Sequence, residues 1–189
     1  IGKKIILTAG PSISLSESLK TLDAVKHGWN KNWNNYILDL EKNFANYIGV
    51  KYAISTSSCT GALHIAMQSL GITEGDEVIV PDITWVATAR VVSYLGATPI
   101  FADIQKDSWN IDVNSIEKLI TKKTKAIIAV HLYGNPANLL QLKKLSSKYK
   151  IRLVEDAAPA IGSSYKGLRC GTVGDFSAFS FQGAKLMVA

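Results

Sequence analysis

The chain has 189 residues, 47% hydrophobic and 19% charged, which suits one globular domain or a large piece of one. Its 21 basic and 15 acidic residues leave a net charge of +6, but the basic residues are scattered over solvated helix faces and form no stripe of the kind a nucleic-acid partner needs. No apolar run reaches the about 18 residues required to cross a bilayer, and two distant cysteines, Cys59 and Cys170, fit a reducing cytoplasm better than a disulfide framework.

The first residues, Ile1-Gly2-Lys3-Lys4, do not lead into a secretory signal pattern. Ser14-Leu15-Ser16-Glu17 has the form of a capping box and predicts a helix from there to about Lys26. His27 to Asn34 is a polar loop carrying Trp29 and Trp33. These tryptophans, with Asn34, suit either a substrate entrance or a purely structural loop. A second helix is expected from about Asn35, with Ile37, Leu40, Phe44 and Tyr47 at helical spacing and Gly49 as its stop.

Strands and helices then alternate. Strands are expected over Tyr52 to Ser55, Glu77 to Val80 before Pro81, Thr98 to Ala102, Lys125 to His131, Ile151 to Glu155 and Phe176 to Phe181. Helices are expected over Gly61 to Leu70 before Gly71, Thr84 to Tyr94, Asp112 to Ile120 and Asn138 to Tyr149. Such alternation predicts an α/β architecture with a mostly parallel sheet flanked by helices. The run Ala126-Ile127-Ile128-Ala129-Val130 is apolar throughout, as a strand covered on both faces must be. Lys122-Lys123 and Lys143-Lys144 are the densest basic runs past the N-terminus. The closing residues Leu186-Met187-Val188-Ala189 are apolar with no stop signal, so the chain is expected to break off within a strand or loop of a longer protein.

Three motifs carry chemistry. Ser55-Thr56-Ser57-Ser58-Cys59-Thr60-Gly61 joins a strand to a helix and is rich in small hydroxyl residues. Backbone N–H groups at a helix start attract anions, phosphate among them, although Ser and Thr there also serve as ordinary caps. Leu153-Val154-Glu155-Asp156 ends an apolar strand in two carboxylates. Strand alternation sends these to opposite sides, so they are not a close acid pair; one is expected to face a cation or to cap the next turn. Gly174 to Lys185 alternates aromatic and small residues and delivers Ser180 and then Lys185 beyond a strand end. A lysine in apolar surroundings is deprotonated more easily and becomes a nucleophile, whereas an exposed one is only a surface charge.

The three fit one ligand: a phosphate for the loop at Thr60, a cationic ring nitrogen for Asp156 and an aldehyde for Lys185. Pyridoxal 5'-phosphate (PLP) has all three, and a lysine Schiff base with an aspartate on the ring nitrogen is its usual protein setting. Lys185 follows Asp156 by 29 residues, room for one excursion and a returning strand. A Rossmann-type nucleotide domain would need a glycine fingerprint after its first strand, and none is present.

The sequence resembles the DegT/DnrJ family of sugar aminotransferases, and within it the perosamine-synthase-like members. The stretches that carry the resemblance begin at Gly10-Pro11-Ser12-Ile13. They continue through Ser57-Ser58-Cys59-Thr60-Gly61-Ala62-Leu63-His64, Pro81-Asp82-Ile83-Thr84-Trp85-Val86-Ala87-Thr88-Ala89 and His131-Leu132-Tyr133-Gly134. The last are Glu155-Asp156-Ala157-Ala158-Pro159-Ala160 and Phe179-Ser180-Phe181-Gln182-Gly183-Ala184-Lys185. The resemblance implies an aspartate-aminotransferase-type PLP fold. Residues 1–189 would form its cofactor-binding large domain, incomplete, with the C-terminal small domain lying outside this chain. It implies that Thr60 and Gly61 hold the phosphate with Ser180, that Trp85 stacks on the ring, that Asp156 pairs with the ring nitrogen, and that Lys185 binds the aldehyde and shuttles protons. It also implies a cytoplasmic homodimer whose second subunit completes the phosphate site.

His64 and His131 are read as structural. Two positions depart from the family pattern: Cys59, where many members have glycine, and Pro159, where many have a polar residue. The implied reaction is transfer of an amino group, with glutamate as donor, to a nucleotide-linked keto sugar. Two alternatives share the fold. A sugar dehydratase of this type carries histidine in place of Lys185, and a non-catalytic PLP-binding regulatory protein would not turn over.

Overall fold

A computed structural model describes residues 13–188. Residues 1–12, with the opening Ile1-Gly2-Lys3-Lys4 and the Gly10-Pro11-Ser12 part of the first matching stretch, lie outside the described residues, as does Ala189. The described residues fall into two compact units, one of residues 13–55 with 181–188 and the other of residues 56–180.

In the first unit, α1 (Leu15–His27) starts at the expected capping box: Ser14 N–H donates to Glu17 Oε2 at 2.8 Å and Ser16 N–H donates to Ser14 Oγ at 3.2 Å. None of its residues is buried. A 3-10 turn at Asn30–Asn32 leads to α2 (Asn35–Ile48), which buries Ala45 and Ile48 and ends at Gly49 with φ 92°, a left-handed conformation that glycine adopts without strain. Tyr36 donates its phenolic proton to Asp23 Oδ2 at 2.5 Å, joining the two helices. Phe44 meets Phe181 edge to face, ring centroids 5.1 Å apart.

The second unit carries a five-stranded parallel sheet in the order β2-β1-β3-β4-β7. Its strands are β1 (Glu77–Pro81), β2 (Thr98–Ala102), β3 (Thr124–Val130), β4 (Arg152–Asp156) and β7 (Phe176–Ala178). The helices are α3 (Cys59–Ser69), α4 (Ala87–Ser93), α5 (Val113–Leu119) and α6 (Leu139–Tyr149). Alternation along each strand splits the core in two. Val78, Val80, Ala126, Ile128 and Val154 pack with Leu63 and Met67 of α3 and Val91 and Val92 of α4. Ile79, Ile127, Ala129 and Leu153 pack with Ile116 of α5 and Leu142 and Leu145 of α6. Both faces are covered, which is why β3 has no polar face to show.

The structure departs from the sequence expectations in three places. Tyr52 to Ser55 is not a strand: among the described residues no strand pairs with it, and the Ser55 N–H and Oγ both donate to Glu41 Oε1, at 2.7 and 2.9 Å. The late strand stops at Ala178 rather than Phe181, because its partner β4 ends at Asp156, opposite Ala178. The helix expected from Thr84 starts at Ala87, leaving Thr84 and Trp85 in a turn before it. A hairpin of β5 (Ser164–Tyr165) and β6 (Leu168–Arg169) turns through Lys166 and Gly167, both at positive φ. Lysine is an unusual residue for that conformation, which is why the hairpin left no signal.

Candidate functional site

The order of strands and helices places one group of residues at the C-terminal edge of the sheet. Asp156 is the last residue of β4. Thr84 and Trp85 follow the end of β1, and Ser180 follows the end of β7. The C-terminal end of α3 feeds the start of β1, so α3 runs antiparallel to the strands and its N-terminus, with Thr60 and Gly61, stands at the same edge. In open α/β sheets this edge is where ligands bind.

Asp156 is 5% exposed. Its Oδ2 accepts from Thr88 Oγ1 at 2.8 Å and its Oδ1 from the Ala158 N–H at 3.2 Å. Thr88 is itself fully buried, and its Oγ1 lies 3.0 Å from Thr84 Oγ1. The Thr88 N–H donates to the Trp85 carbonyl at 3.1 Å, closing the turn that leaves the Trp85 side chain 79% exposed. Sequence reasoning missed Thr88. Its signal was a hydroxyl residue three positions after Trp85 and four after Thr84, on the buried side of the coming helix.

At the start of α3, Ser58 is the N-cap, and its Oγ accepts from the Gly61 N–H at 3.1 Å. Thr56 Oγ1 donates to the Ser58 carbonyl at 2.9 Å and fixes the entry of the loop. Among the described residues the Thr60 N–H meets no acceptor, so it remains available to an anion. Ser58 was legible in the sequence only as part of a hydroxyl-rich loop. Ser180 is 7% exposed.

Glu155 and Asp156 have separate partners, as alternation requires. Glu155 is fully buried: its Oε1 accepts from the Val173 and Gly174 N–H groups at 2.8 and 2.7 Å, and its Oε2 from the Gly171 N–H at 2.7 Å and from His131 Nε2 at 3.0 Å. His131 Nδ1 accepts from the Ala137 N–H at 3.0 Å, which puts the ring proton on Nε2. Burial pushes the Glu155 carboxyl up, but hydrogen bonds from His131 and from the Gly174 and Gly171 N–H groups outweigh it and hold the group below its ordinary value. Glu155 and His131 therefore brace the loops under the sheet edge. The His131 N–H also donates to the Asp156 carbonyl at 3.1 Å. His64 packs edge to face on Tyr94. Cys59 and Cys170 are not joined in a disulfide.

Lys185 belongs to the other unit. It is half-buried in a turn in which its N–H donates to the Gln182 carbonyl at 2.8 Å. Among the described residues no helix is long and apolar enough to cross a membrane, and no group of three or more potential ligands could hold a metal.

Residues 12–189 match the profile of the DegT/DnrJ/EryC1/StrS aminotransferase family. A GDP-perosamine synthase of Escherichia coli O157:H7 is 44% identical over 182 residues, which cover 96% of this chain and 50% of that protein. Among solved structures, an aminotransferase from Psychrobacter cryohalolentis superposes with a TM-score of 0.91 at 35% identity, covering 96% of this chain and 46% of that one. The PLP form of a Streptococcus pneumoniae protein described as a sugar aminotransferase superposes with a TM-score of 0.88 at 32% identity, over 97% of this chain and 50% of that one. The chain spans about half the length of the curated relatives it matches.

Proposed function

The chain belongs to the DegT/DnrJ/EryC1/StrS aminotransferase family, and from that premise we propose that it is the cofactor-binding large domain of a PLP-dependent enzyme that aminates a nucleotide-linked keto sugar, with glutamate as the amino donor. The observation that carries this reading is the buried Asp156 carboxylate at the sheet's ligand edge, held by a buried threonine.

The chemistry of these residues supports that reading. Asp156 offers a fixed negative charge to a ring nitrogen. The start of α3 offers an N–H and the Thr60 hydroxyl to a phosphate, and Ser180 adds a second hydroxyl. Trp85 offers an exposed indole to a planar ring. Lys185 provides the amine for the aldehyde. When bound, PLP supplies an electron sink that weakens the Cα–H bond of the amino donor. Asp156 holds a proton on the ring nitrogen, because a neighbouring carboxylate favours the cation. Lys185 carries a proton away from the donor Cα and returns one during the second half of the reaction. Trp85 shields one ring face from water.

The protein acts in the cytoplasm as a homodimer, and the small domain lies in the half of the relatives' length that this chain does not span. Relatives named GDP-perosamine synthase make a GDP-linked keto sugar the first acceptor to assay. The test is borohydride reduction of the full-length protein with PLP, followed by peptide mass spectrometry. A pyridoxyl mass on Lys185, lost in Lys185→Ala together with turnover of glutamate and keto sugar nucleotide, is the expected result. An unlabelled Lys185 overturns the reading.

A further inference from the structure

We infer that Thr88 is a positioning residue that aims the Asp156 carboxylate and ties it to the turn carrying Trp85, so that residues 84–88 support both the partner of the ring nitrogen and the residue that stacks on the ring. The inference rests on the function proposed above and names a further residue in its site.

The direction of the hydrogen bonds follows from chemistry. An ionised carboxylate only accepts, so at 2.8 Å the Thr88 hydroxyl proton points at Asp156 Oδ2. Thr88 has one hydroxyl proton, which is thereby committed. The 3.0 Å contact between Thr84 Oγ1 and Thr88 Oγ1 must then run from Thr84 to Thr88. The result is a directed chain, Thr84 to Thr88 to Asp156, in which each donor polarises the next. Thr88 is fully buried and 68 residues from its acceptor, so solvent does not substitute for it.

The same residue fixes Trp85 through its backbone. The Thr88 N–H donates to the Trp85 carbonyl at 3.1 Å. One threonine thus holds the carboxylate with its side chain and the Trp85 main chain with its own. A ring that stacks on Trp85 and pairs with Asp156 then meets a carboxylate and a turn held by the same residue. Pre-organisation of this kind lowers the cost of ordering a bound ligand. Ala158, another donor to Asp156, comes from the chain just beyond the carboxylate, whereas Thr88 belongs to the helix that follows the Trp85 turn.

The experiment uses the full-length holoenzyme and four variants: Thr88→Val, Thr88→Ala, Thr88→Ser and Thr84→Val. The readouts are the dissociation constant for PLP, the absorption maximum of the bound cofactor, kcat and KM for the sugar substrate, and the thermal midpoint of the cofactor-free protein. Thr88→Val keeps the shape and removes the donor. A hydrogen bond to a charged group predicts roughly a 10- to 100-fold weaker PLP constant, with a shifted absorption maximum and a fall in kcat at unchanged KM. Thr88→Ser restores most of the loss, and Thr84→Val, one step removed, loses less than Thr88→Val. If Val at 88 does not fold, the Ser and Ala pair asks the same question.

Wild-type behaviour of the donor-less variants overturns the inference, and so do equal losses in Ser and Val, which mean packing rather than a hydroxyl. A larger loss at 84 than at 88 overturns the order of the chain. A wild-type protein that binds no PLP overturns the proposed function instead, and the two failures are told apart in the first measurement.

Discussion

Two carboxylates stand side by side at the end of β4 and do different work because their surroundings differ. Glu155 collects four donors in a fully buried pocket. Glu155→Gln keeps the shape but turns an amide toward N–H groups that need an acceptor, so it should destabilise the fold by about 3 kcal/mol or more in denaturant melts. The pH dependence has a definite sign. The folded carboxyl sits below its ordinary value of 4.5, so its contribution is complete above that value and is lost as acid protonates it in the folded state. Wild-type stability should therefore fall more steeply in acid than that of Glu155→Gln, and the difference between the two melts isolates Glu155 from other carboxylates. Cys170 tests the same pocket from outside. Burial, with the Glu155 charge nearby, pushes its thiol up to about 12. It should resist alkylation in the folded protein and react after unfolding, as read by peptide mass spectrometry. Asp156 was legible as a candidate because it ends an apolar strand. Thr88 was not, because its partner lies 68 positions further along the chain and only the folded sheet brings the two together.

At the scale of elements, the sequence was most readable where burial is strongest. The apolar runs of β1, β3 and β4 and the starts of α1, α3 and α5 all lie within a residue or two of expectation, since a covered strand tolerates few polar residues and a helix start favours particular side chains. It was least readable where a partner decides the outcome. Tyr52 to Ser55 has the apolar residues of a short strand but no strand neighbour among the described residues, and the two-residue strands of the hairpin have a neighbour but too little pattern. The loop from Gly171 to Gly174 is held by Glu155, and it needs its first glycine. Gly171 has φ 92°, and a Cβ there would lie 2.3 Å from Phe179 Cζ. Gly171→Ala should therefore destabilise the protein more than an ordinary loop substitution, by about 2 kcal/mol or more, and it should loosen the Phe179-Ser180 segment, read as faster amide exchange there.

For the whole molecule, the doubly covered parallel sheet explains why one edge carries the candidate site: helices occupy both faces, and the loops after the strands are left to present polar groups. The surface is less self-sufficient than the core. Leu15, Leu19, Leu22 and Val25 of α1 are all exposed, at spacings of three and four that line one helix face. This chain on its own should bind a hydrophobic dye and self-associate at raised concentration, which fluorescence and light scattering would show. The first of the two units has a further consequence for synthesis. It joins residues 13–55 to residues 181–188, with Phe44 against Phe181. On the ribosome α1 and α2 emerge well before Phe181 is translated, so the nascent chain must hold them without their closing contact while the residues of the sheet are still being added, and that interval gives a chaperone time to bind them.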